Sequence, residues 1–325
     1  MPRRRRGGGA DEPAWRWPSR AAIAFVLALI LGAWLQAGVG AGAARPKVPA
    51  IPVGALIQLP GAHGCLSERP REGCRDARAL AGAGGVAVAG RFVYVASVDS
   101  GAVAIFQRNS TTGALHQLAG RAGCVSEGGK EGCARGRGLV GAFSIAISPD
   151  GRNLYVASVD DVAAFARDPR SGRLTQLAGA QACIAEYPGD GCGPGRALNE
   201  VASVTVSPDG RNVYAASFGS NAVVALTRDP STGALAEPAG LSGCTNEDGG
   251  EGCQKGHALQ QAFSVVVSPD GRYVYVASIL SSAIVSFERE SDGSLRQIPF
   301  VGECTSEGGR EGCASGRGLD AVAGL

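Results

Sequence analysis

Short apolar strands recur along the chain at a fixed interval, and each pair of strands flanks the same tight turn. The copies read FSIAISPDGRNLYVAS at 143–158, ASVTVSPDGRNVYAAS at 202–217 and FSVVVSPDGRYVYVAS at 263–278, with a degenerate copy, GVAVAGRFVYVAS, at 85–97. Proline presets φ in such a turn, aspartate bonds to its neighbouring backbone, and glycine accepts the exit geometry. The pattern therefore predicts a β-hairpin in every copy.

Two further strands complete each repeat. A third apolar strand follows the hairpin (AVAIFQR, DVAAFAR, AVVALTR and AIVSFER), and a second turn leads to a fourth strand such as LTQLAG at 174–179. Strands that are apolar almost throughout indicate sheets covered on both faces. The predicted fold is an all-β propeller of four-stranded antiparallel blades; a sandwich, which gives no reason for the fixed period, is the alternative. The units span about 84–119, 142–179, 201–238 and 262–299.

The two ends of the repeat array predict an incomplete ring with four full blades. GALIQLPGAHGC at 54–65 matches GALHQLAGRAGC at 113–124, which predicts an isolated fourth strand at 54–59. The final GRGLDAVAGL matches the approach to an innermost strand, so 319–325 is predicted to be a partial blade. We expect an open ring to leave apolar flanks partly uncovered and prone to self-association. The residues expected on those flanks are Ile105 and Phe106 at one end and Val285 and Phe287 at the other.

All ten cysteines fall into five C-x8-C pairs, and successive first cysteines lie 59, 59, 61 and 60 residues apart. An even number of cysteines at fixed spacing predicts disulfides if the protein is exported, for which the leader described below gives the reason, and pairing inside each loop is the simplest connectivity. Structural zinc is the weaker alternative, because no histidine recurs beside the cysteines. The predicted bridges are Cys65–Cys74, Cys124–Cys133, Cys183–Cys192, Cys244–Cys253 and Cys304–Cys313.

Each cysteine loop carries the motif C-x2-E-x3-[ED]-G-C-x3-[RH]-x-L. Its carboxylates are predicted to cap the loop backbone or to pair with the basic residue of the same copy, roles that need no ligand. The alternative is a binding face for Ca²⁺ or a cationic partner, because hard cations favour oxygen ligands. No other cofactor is expected. The candidate face comprises Glu127, Glu131, Arg137, Glu186, Asp190, Arg196, Glu247, Glu251, His257, Glu307, Glu311 and Arg317.

The formal net charge of +2 originates in the first 44 residues. They hold six arginines and two acidic residues, which leaves 25 basic and 27 acidic residues elsewhere and gives no reason to expect a nucleic-acid partner. An apolar run at 21–35 is followed by small residues at 41–43. This predicts a signal peptide, or an uncleaved N-terminal anchor, at 1–44 and a propeller at 45–325.

The leader and the cysteines together predict an exported protein that is secreted, periplasmic or on the cell surface. Contact with a membrane is expected only through an uncleaved leader. The partner is expected to be an extracellular or cell-envelope ligand whose identity the sequence leaves open.

The stretches SPDGRNLYVAS, SPDGRNVYAAS and SPDGRYVYVAS, each followed by a strand and an RDP-type turn, resemble the lactonase-like seven-bladed propellers and the related YVTN surface-protein repeats. The resemblance covers about residues 51–325 and is specific for fold rather than function. It implies that an enzyme of this type would place histidine, arginine and glutamate around a central channel, with a histidine just ahead of the innermost strand's turn. Phe143, Ala202 and Phe263 stand at the matching positions.

Those three apolar side chains cannot transfer protons, so the sequence favours a non-catalytic role, and no catalytic residue is predicted. No Ser-His-Asp grouping or phosphate-binding loop stands out either. The predicted function is an exported repeat protein that acts as a binding or surface-interaction scaffold through its loop face. A lactonase-like hydrolase acting on a sugar lactone or related lactone is the alternative.

Overall fold

The computed structural model describes residues 55–69, 73–189, 191–298 and 304–325, so the predicted leader at 1–44 lies outside the described residues. Residues Leu56–Leu325 fold as one unit. The helices of the described residues are single 3-10 turns, and none of them has the length and apolar character needed to span a bilayer. These turns are Gly61–His63, Gly120–Gly123, Lys130–Gly132, Gly179–Ala182, Gly240–Gly243 and Arg310–Gly312.

The described strands form one short pair and four sheets of six strands. The short pair is β1 (Leu66–Ser67) and β2 (Arg75–Asp76). The first sheet contains β3 (Ala83–Ala89), β4 (Phe92–Ser97), β5 (Ala102–Arg108), β6 (Leu115–Gln117), β7 (Cys124–Glu127) and β8 (Ala134–Gly136). The second contains β9 (Ser144–Ile147), β10 (Asn153–Ala157), β11 (Asp161–Arg167), β12 (Leu174–Gln176), β13 (Cys183–Ala185) and β14 (Gly193–Pro194). The third contains β15 (Val201–Val206), β16 (Asn212–Ser217), β17 (Ala222–Arg228), β18 (Leu235–Ala236), β19 (Cys244–Asn246) and β20 (Gln254–Lys255). The fourth contains β21 (Ala262–Val267), β22 (Tyr273–Ser278), β23 (Ala283–Arg289), β24 (Leu295–Gln297), β25 (Cys304–Glu307) and β26 (Ala314–Gly316).

The four sheets are propeller blades, numbered here 1 to 4 in chain order. In each blade three long antiparallel strands lie side by side, from the innermost strand outward, as in the order β9-β10-β11. The innermost strands β3, β9, β15 and β21 contact one another in sequence. Apolar clusters fill the spaces between neighbouring blades, which explains why the long strands are apolar on both faces. The predicted all-β propeller fold is confirmed.

The outer edge of each blade differs from the predicted single fourth strand. In blade 2, β12 pairs with one end of β11 and β13 with the other, and the 3-10 turn Gly179–Ala182 lies between them. A short parallel strand, β14, then pairs with β13. The blades therefore extend beyond the predicted limits at 119, 179, 238 and 299, because the first cysteine of each loop starts a strand that continues the outer edge.

Neither predicted end strand is formed within the described residues. Residues 55–59 have no regular secondary structure, residue 54 lies outside the described ranges, and 319–325 consist of turn and irregular chain. A strand needs a neighbouring edge for its backbone hydrogen bonds, and none of the described strands pairs with either segment.

The apolar flank residues named from the sequence are buried, so that prediction was wrong. Phe106 packs in a cluster with the segment that carries Leu66 and Leu80. This segment precedes blade 1 and covers the face of blade 1 that points away from blade 2. The other three face an adjacent blade within the chain. Exposed fractions are 1% for Ile105, 1% for Phe106, 0% for Val285 and 0% for Phe287.

The hairpin turn is closed by its own side chains, as the sequence predicts. The Ser148 hydroxyl donates to Asp150 Oδ1 at 2.5 Å, and the same carboxylate oxygen accepts from the Arg152 N–H at 3.0 Å. The Asn153 N–H donates to Ser148 Oγ at 3.0 Å. Gly151 takes a φ of +68°, a conformation that other residues adopt at a cost. This local network sets the register of β9 and β10.

A tyrosine of one blade and an arginine and turn glycine of the next form what we call the interblade latch. Tyr155 Oη donates to the Gly233 carbonyl at 2.9 Å and accepts from Arg228 Nε at 2.8 Å. Arg228 also pairs with Asp150 of the hairpin turn at 3.1 Å. Burial raises the pKa of the Tyr155 hydroxyl to about 12, against the opposing effect of Arg228. The same bonds join Tyr94 to Gly172 and Arg167, and Tyr214 to Gly293 and Arg289.

Candidate functional site at the disulfide-loop face

The five predicted disulfides are all formed within their own loops, which confirms the predicted connectivity. Their Cα–Cα separations are 4.8–4.9 Å. In blades 1 to 4 the first cysteine begins the short strand that pairs with the third long strand, as Cys183 does opposite Ala163. The loops are therefore fastened to the outer part of the sheets. Five disulfides indicate an oxidising compartment.

The first glutamate of every loop is a backbone cap. Its carboxylate accepts the N–H of the leucine that ends the motif, twelve residues later, and this bond holds the leucine in place. Leu139, Leu198 and Leu259 are fully buried between blades. The bonds are Leu80 to Glu68 at 3.1 Å, Leu139 to Glu127 at 2.9 Å, Leu198 to Glu186 at 2.6 Å, Leu259 to Glu247 at 2.5 Å and Leu319 to Glu307 at 2.7 Å.

The second acidic residue joins one loop to the loop before it. Glu131 accepts the Ala79 N–H at 2.9 Å, and Glu251 accepts the Ala197 N–H in the same way. Both glutamates, like Glu311, adopt positive φ, between 54° and 56°. Asp190, the counterpart in the third loop, lies outside the described residues.

The basic residue of the motif also reaches the next loop, rather than the carboxylates of its own copy as the sequence suggested. Arg78 Nη1 donates to the Glu131 carbonyl at 3.1 Å, and Arg196 Nη1 donates to the Gly252 carbonyl at 2.9 Å. His257 Nε2 contacts the Glu311 carbonyl. Arg137 donates to the Gly179 carbonyl of the adjoining turn at 2.9 Å. Arg317, in the last loop, is exposed.

A polar pocket of about 610 Å³ lies on this face between blades 3 and 4. We call it the loop pocket. Its wall combines an aromatic and an aliphatic side chain with amides and carboxylates. The side chains concerned are Phe218, Ser220, Asn221, Asn246, Glu247, Asp248, Glu251, Gln260, Gln261 and Leu280.

Most polar groups of the loop pocket are held in place by the backbone. Asn246 donates to the Gly250 carbonyl at 3.2 Å and accepts the Gly249 N–H at 2.7 Å. Asn221 accepts the Gln261 N–H at 2.7 Å. Sequence reasoning identified Glu247 and Glu251 but missed the amides. A departure from the repeat could have indicated one of them, since Asn246 stands where other loops have serine or alanine.

Glu251 is the carboxyl of this pocket with a shifted pKa. Partial burial and the neighbouring carboxylate of Glu186 raise its pKa above the ordinary value of 4.5. Hydrogen bonds from the Ala197 N–H and the Ser220 hydroxyl oppose that shift. A carboxyl with a raised pKa keeps a proton at a pH where most carboxyls are ionised, and this suits acid–base chemistry.

The positions matching the histidines of lactonase-like enzymes form an apolar contact. The rings of Phe143 and Phe263, from either side of blade 3, meet edge to face at 5.7 Å between centroids, and Ala202 is the small residue of the intervening blade. Phe218, which also lines the loop pocket, lies 6.3 Å from Phe263. The side chains of Phe143, Ala202 and Phe263 have no group that could donate or accept a proton.

Within the described ranges, two groups of three side chains bring possible metal ligands within 4.8 Å of one another. Both groups, His257 with Cys304 and Cys313, and Asp161 with Cys183 and Cys192, contain cysteines that are bonded in disulfides. A disulfide sulfur is not the thiolate that zinc requires. The expectation that the loop carboxylates bind calcium stays a prediction.

Residues 145–240 match the model of a family described as lactonase, 7-bladed beta-propeller. The match begins in β9 and ends beyond β18, so it covers blades 2 and 3 except for the outermost strands of blade 3. It confirms the resemblance inferred from the repeated turn sequences, whereas the likeness to YVTN repeats stays a prediction. No curated protein matches the chain significantly.

Solved structures similar to this chain include a protein from Lactobacillus plantarum and the periplasmic gluconolactonase PpgL of Pseudomonas aeruginosa. The first has 21% sequence identity and a TM-score of 0.46, and the alignment covers 67% of this chain. The second has 20% identity and a TM-score of 0.44, with 66% of this chain covered. In both cases the chain spans 56% of the other protein's length.

Proposed function

We propose that this chain is the propeller portion of an exported lactonase-like hydrolase that acts on a sugar lactone or a related lactone. The observation that carries the proposal is the match of blades 2 and 3 to the lactonase propeller family. The disulfide loops support export to an oxidising compartment, whether secreted, periplasmic or at the cell surface. Of the two functions that the sequence leaves open, these observations support the lactonase-like hydrolase better than the binding scaffold.

The loop pocket has the composition expected for a polyhydroxylated ligand. Amide and carboxylate side chains match the hydroxyl groups of a sugar-derived ring, and Phe218 and Leu280 offer apolar surface to its C–H faces. Its volume of about 610 Å³ lies within the range of small-molecule sites.

Hydrolysis of a lactone adds water to the carbonyl carbon, breaks the ring C–O bond and delivers a proton to the released alkoxide. Glu251 is the candidate group that takes the proton from water and passes it to the alkoxide. Its raised pKa makes the carboxylate a stronger base for the first of these steps than an ordinary glutamate. The amides of Gln260 and Gln261 are the candidate donors to the negative charge that develops on the carbonyl oxygen.

Two matched substitutions test this assignment on D-glucono-1,5-lactone. Glu251→Gln removes the proposed base, and Glu131→Gln removes the equivalent interloop cap of another loop, away from the pocket. We expect the first to lower kcat/KM by about 100-fold or more and the second to leave it unchanged. Equal losses would assign Glu251 a structural role only, and wild-type protein that turns over no lactone would contradict the proposal itself.

A binding scaffold is the second candidate, favoured by the links between neighbouring loops. Contacts such as Arg196 to Gly252 and Glu131 to Ala79 join loops of adjacent blades into a continuous surface. Calorimetric titration separates the two candidates. Saturable binding of the lactone without release of the hydroxy acid would favour the scaffold, and release of the acid would favour the hydrolase.

A further inference from the structure

The wall of the loop pocket carries three negative charges and no positive one. Glu247, Asp248 and Glu251 line it, and none of the described residues that line it is a lysine, an arginine or a histidine. Burial and the charge of Glu186 in the preceding loop both raise the pKa of Glu251, so a fourth carboxylate contributes to the field at the pocket. Such a field favours neutral or positive ligands over anions.

The negative charge results from two departures of the fourth disulfide loop, Cys244–Cys253, from the repeat. Between its cysteines it has three acidic residues and no basic one, whereas the second and fifth loops each have two acidic residues and one basic residue. The residue before the second acid is Lys130 in the second loop and Arg310 in the fifth, but Gly250 in the fourth. Asp248 replaces the glycine that follows the first acid in those two loops. The pocket therefore lies against the most acidic of the five loops.

Two of the carboxylates are fixed at the wall by backbone hydrogen bonds. Asp248 Oδ1 accepts the Gly250 N–H at 2.9 Å, and Glu247 Oε2 accepts the Leu259 N–H at 2.5 Å. Asp248 is exposed and Glu247 is half-buried, so both charges are accessible from the cavity. An anion in the pocket therefore meets charges that are held in position.

The basic residues of the surrounding loops make their contacts elsewhere. Arg196 donates to the Gly252 carbonyl at 2.9 Å, and His257 contacts the Glu311 carbonyl. The stem of Lys255 packs against the backbone of its own loop at Gly249. These three side chains are outside the pocket wall. They therefore do not replace the missing positive charge there.

We propose that the loop pocket selects ligands by charge: it takes uncharged sugar lactones, excludes lactones that carry a phosphate or a carboxylate, and repels its own product. This inference rests on the function proposed above. Hydrolysis adds water to the carbonyl carbon and breaks the ring C–O bond, which gives a neutral hydroxy acid. That acid releases a proton to solvent and becomes a carboxylate. The substrate is therefore neutral and the product negative, and the acidic wall distinguishes them.

The size of the pocket makes the charge effective. The screening length at physiological ionic strength is ~8 Å, comparable to the width of a cavity of about 610 Å³, so an anion inside it interacts with all three carboxylates. Like charges placed together in one site lower affinity. Added salt should weaken this discrimination, whereas a steric barrier would not respond to salt.

Calorimetric titration of the wild-type protein with D-glucose and D-glucuronate tests the charge selection without turnover. The two rings differ only at C6, where glucuronate has a carboxylate and glucose a hydroxymethyl group. We expect glucuronate to bind at least about 10-fold more weakly than glucose at low salt, because its charge faces the acidic wall. The gap should narrow as salt is added.

Gly250→Lys gives the fourth loop the charge of the second. The backbones correspond, since the Cys253 N–H donates to the Gly250 carbonyl at 2.9 Å as the Cys133 N–H does to that of Lys130 at 3.0 Å. Asp248→Asn is the second variant and keeps an acceptor for the Gly250 N–H. Each should narrow the gap about 3-fold. A lysine that occupies part of the pocket and still improves glucuronate binding excludes a steric cause.

Glu290→Gln is the matched control, because it removes an exposed acidic group at the end of β23 opposite the disulfide loop. It should leave the gap between the two sugars unchanged. Circular dichroism of each variant checks that the blades are folded.

Product repulsion is measured as inhibition by D-gluconate during hydrolysis of D-glucono-1,5-lactone. We expect Gly250→Lys to lower the inhibition constant of gluconate about 3-fold, and Glu290→Gln to leave it unchanged.

Three binding results would overturn the charge selection: equal affinities for the two sugars, a gap that responds neither to salt nor to the two pocket variants, or binding of neither sugar. The hydrolase function fails separately. A protein that discriminates between the sugars as expected but hydrolyses no lactone retains the charge selection and loses the hydrolase function. Turnover of the lactone together with equal affinities does the reverse.

Discussion

Replacing Glu237 by glutamine should stabilise the protein. In blades 1, 2 and 4 the corresponding residue is a glutamine that joins its blade to the preceding loop. Gln176 accepts the Arg137 N–H at 3.0 Å and donates to the carbonyls of Arg137 and Ala182 at 2.7 and 3.1 Å. In blade 3 the carboxylate of Glu237 accepts the Arg196 N–H at 2.7 Å but has no N–H groups to donate.

The buried carboxylate gains less from its ion pair than it loses by burial. Its side chain is 4% exposed, and Oε1 lies 2.7 Å from Arg196 Nη2 without forming an aligned hydrogen bond. Burial raises the pKa of Glu237 above its ordinary value of 4.5 even though Arg196 acts in the opposite direction. The cost of removing the charge from water therefore exceeds the attraction of the arginine.

The magnitude follows from the bonds exchanged. Glutamine would add two donated hydrogen bonds, each with a net contribution of about 1 kcal/mol, and would lose an ion pair whose arginine side chain is 32% exposed, which contributes about 0–1 kcal/mol. We expect Glu237→Gln to raise the free energy of unfolding at pH 7 by about 1–2 kcal/mol.

Urea denaturation of both proteins across pH checks the value and its sign. A carboxyl whose pKa is raised in the folded state makes the wild type most stable below pH 4.5, and that stability is lost as the pH rises through the folded-state pKa. Glu237→Gln should remove this contribution to the pH dependence. A variant less stable than the wild type at pH 7 would show that the ion pair outweighs burial, and Gln176→Glu, the reverse change in blade 2, should then stabilise rather than destabilise.

Three further outcomes are expected. Tyr155→Phe removes the hydroxyl that bonds to the Gly233 carbonyl and to Arg228, so it should lower the free energy of unfolding by about 1–3 kcal/mol in urea denaturation. The exposed Tyr187→Phe is the control and should change it by less than about 0.5 kcal/mol. Equal effects would contradict the latch. Because burial raises the pKa of Tyr155 and Tyr214 from 10.0 to about 12, the stability they contribute is present below pH 10 and should be lost between pH 10 and 12, which alkaline unfolding followed by tyrosine absorbance would detect. If Glu251 is the base, kcat/KM should rise with pH through a limb above 4.5 that is absent in Glu251→Gln, and a limb that persists would assign the titration to another group.

Several features followed from local sequence signals. The S-P-D-G turn closes through bonds between residues at most five apart, as from Asn153 to Ser148, so its conformation could be predicted from a short segment. The disulfide pairing is local in the same sense, because each bridge spans nine residues. The apolar third strands, with the repeat interval, predicted sheets packed on both sides.

The site was predicted less completely, because its contacts cross between repeats. The sequence identified Glu131 and Arg196 as recurring charged residues and favoured capping or pairing within each copy. In the structure Glu131 bonds to Ala79, 52 residues away, and Arg196 to Gly252, 56 residues away. A repeat pattern alone does not tell whether a side chain contacts its own copy or the next one.

The sequence by itself determined the three long strands of each blade, the hairpin turns and the bridges, because each is marked by residues that are neighbours along the chain. Only the tertiary structure decided which tyrosine meets which arginine, since the partners in a latch lie 73 to 75 residues apart. It also placed Phe143 against Phe263 and gathered the loop pocket from two blades. Stacking of whole blades brings these groups together. The contacts between them can therefore be identified only when the blades lie side by side.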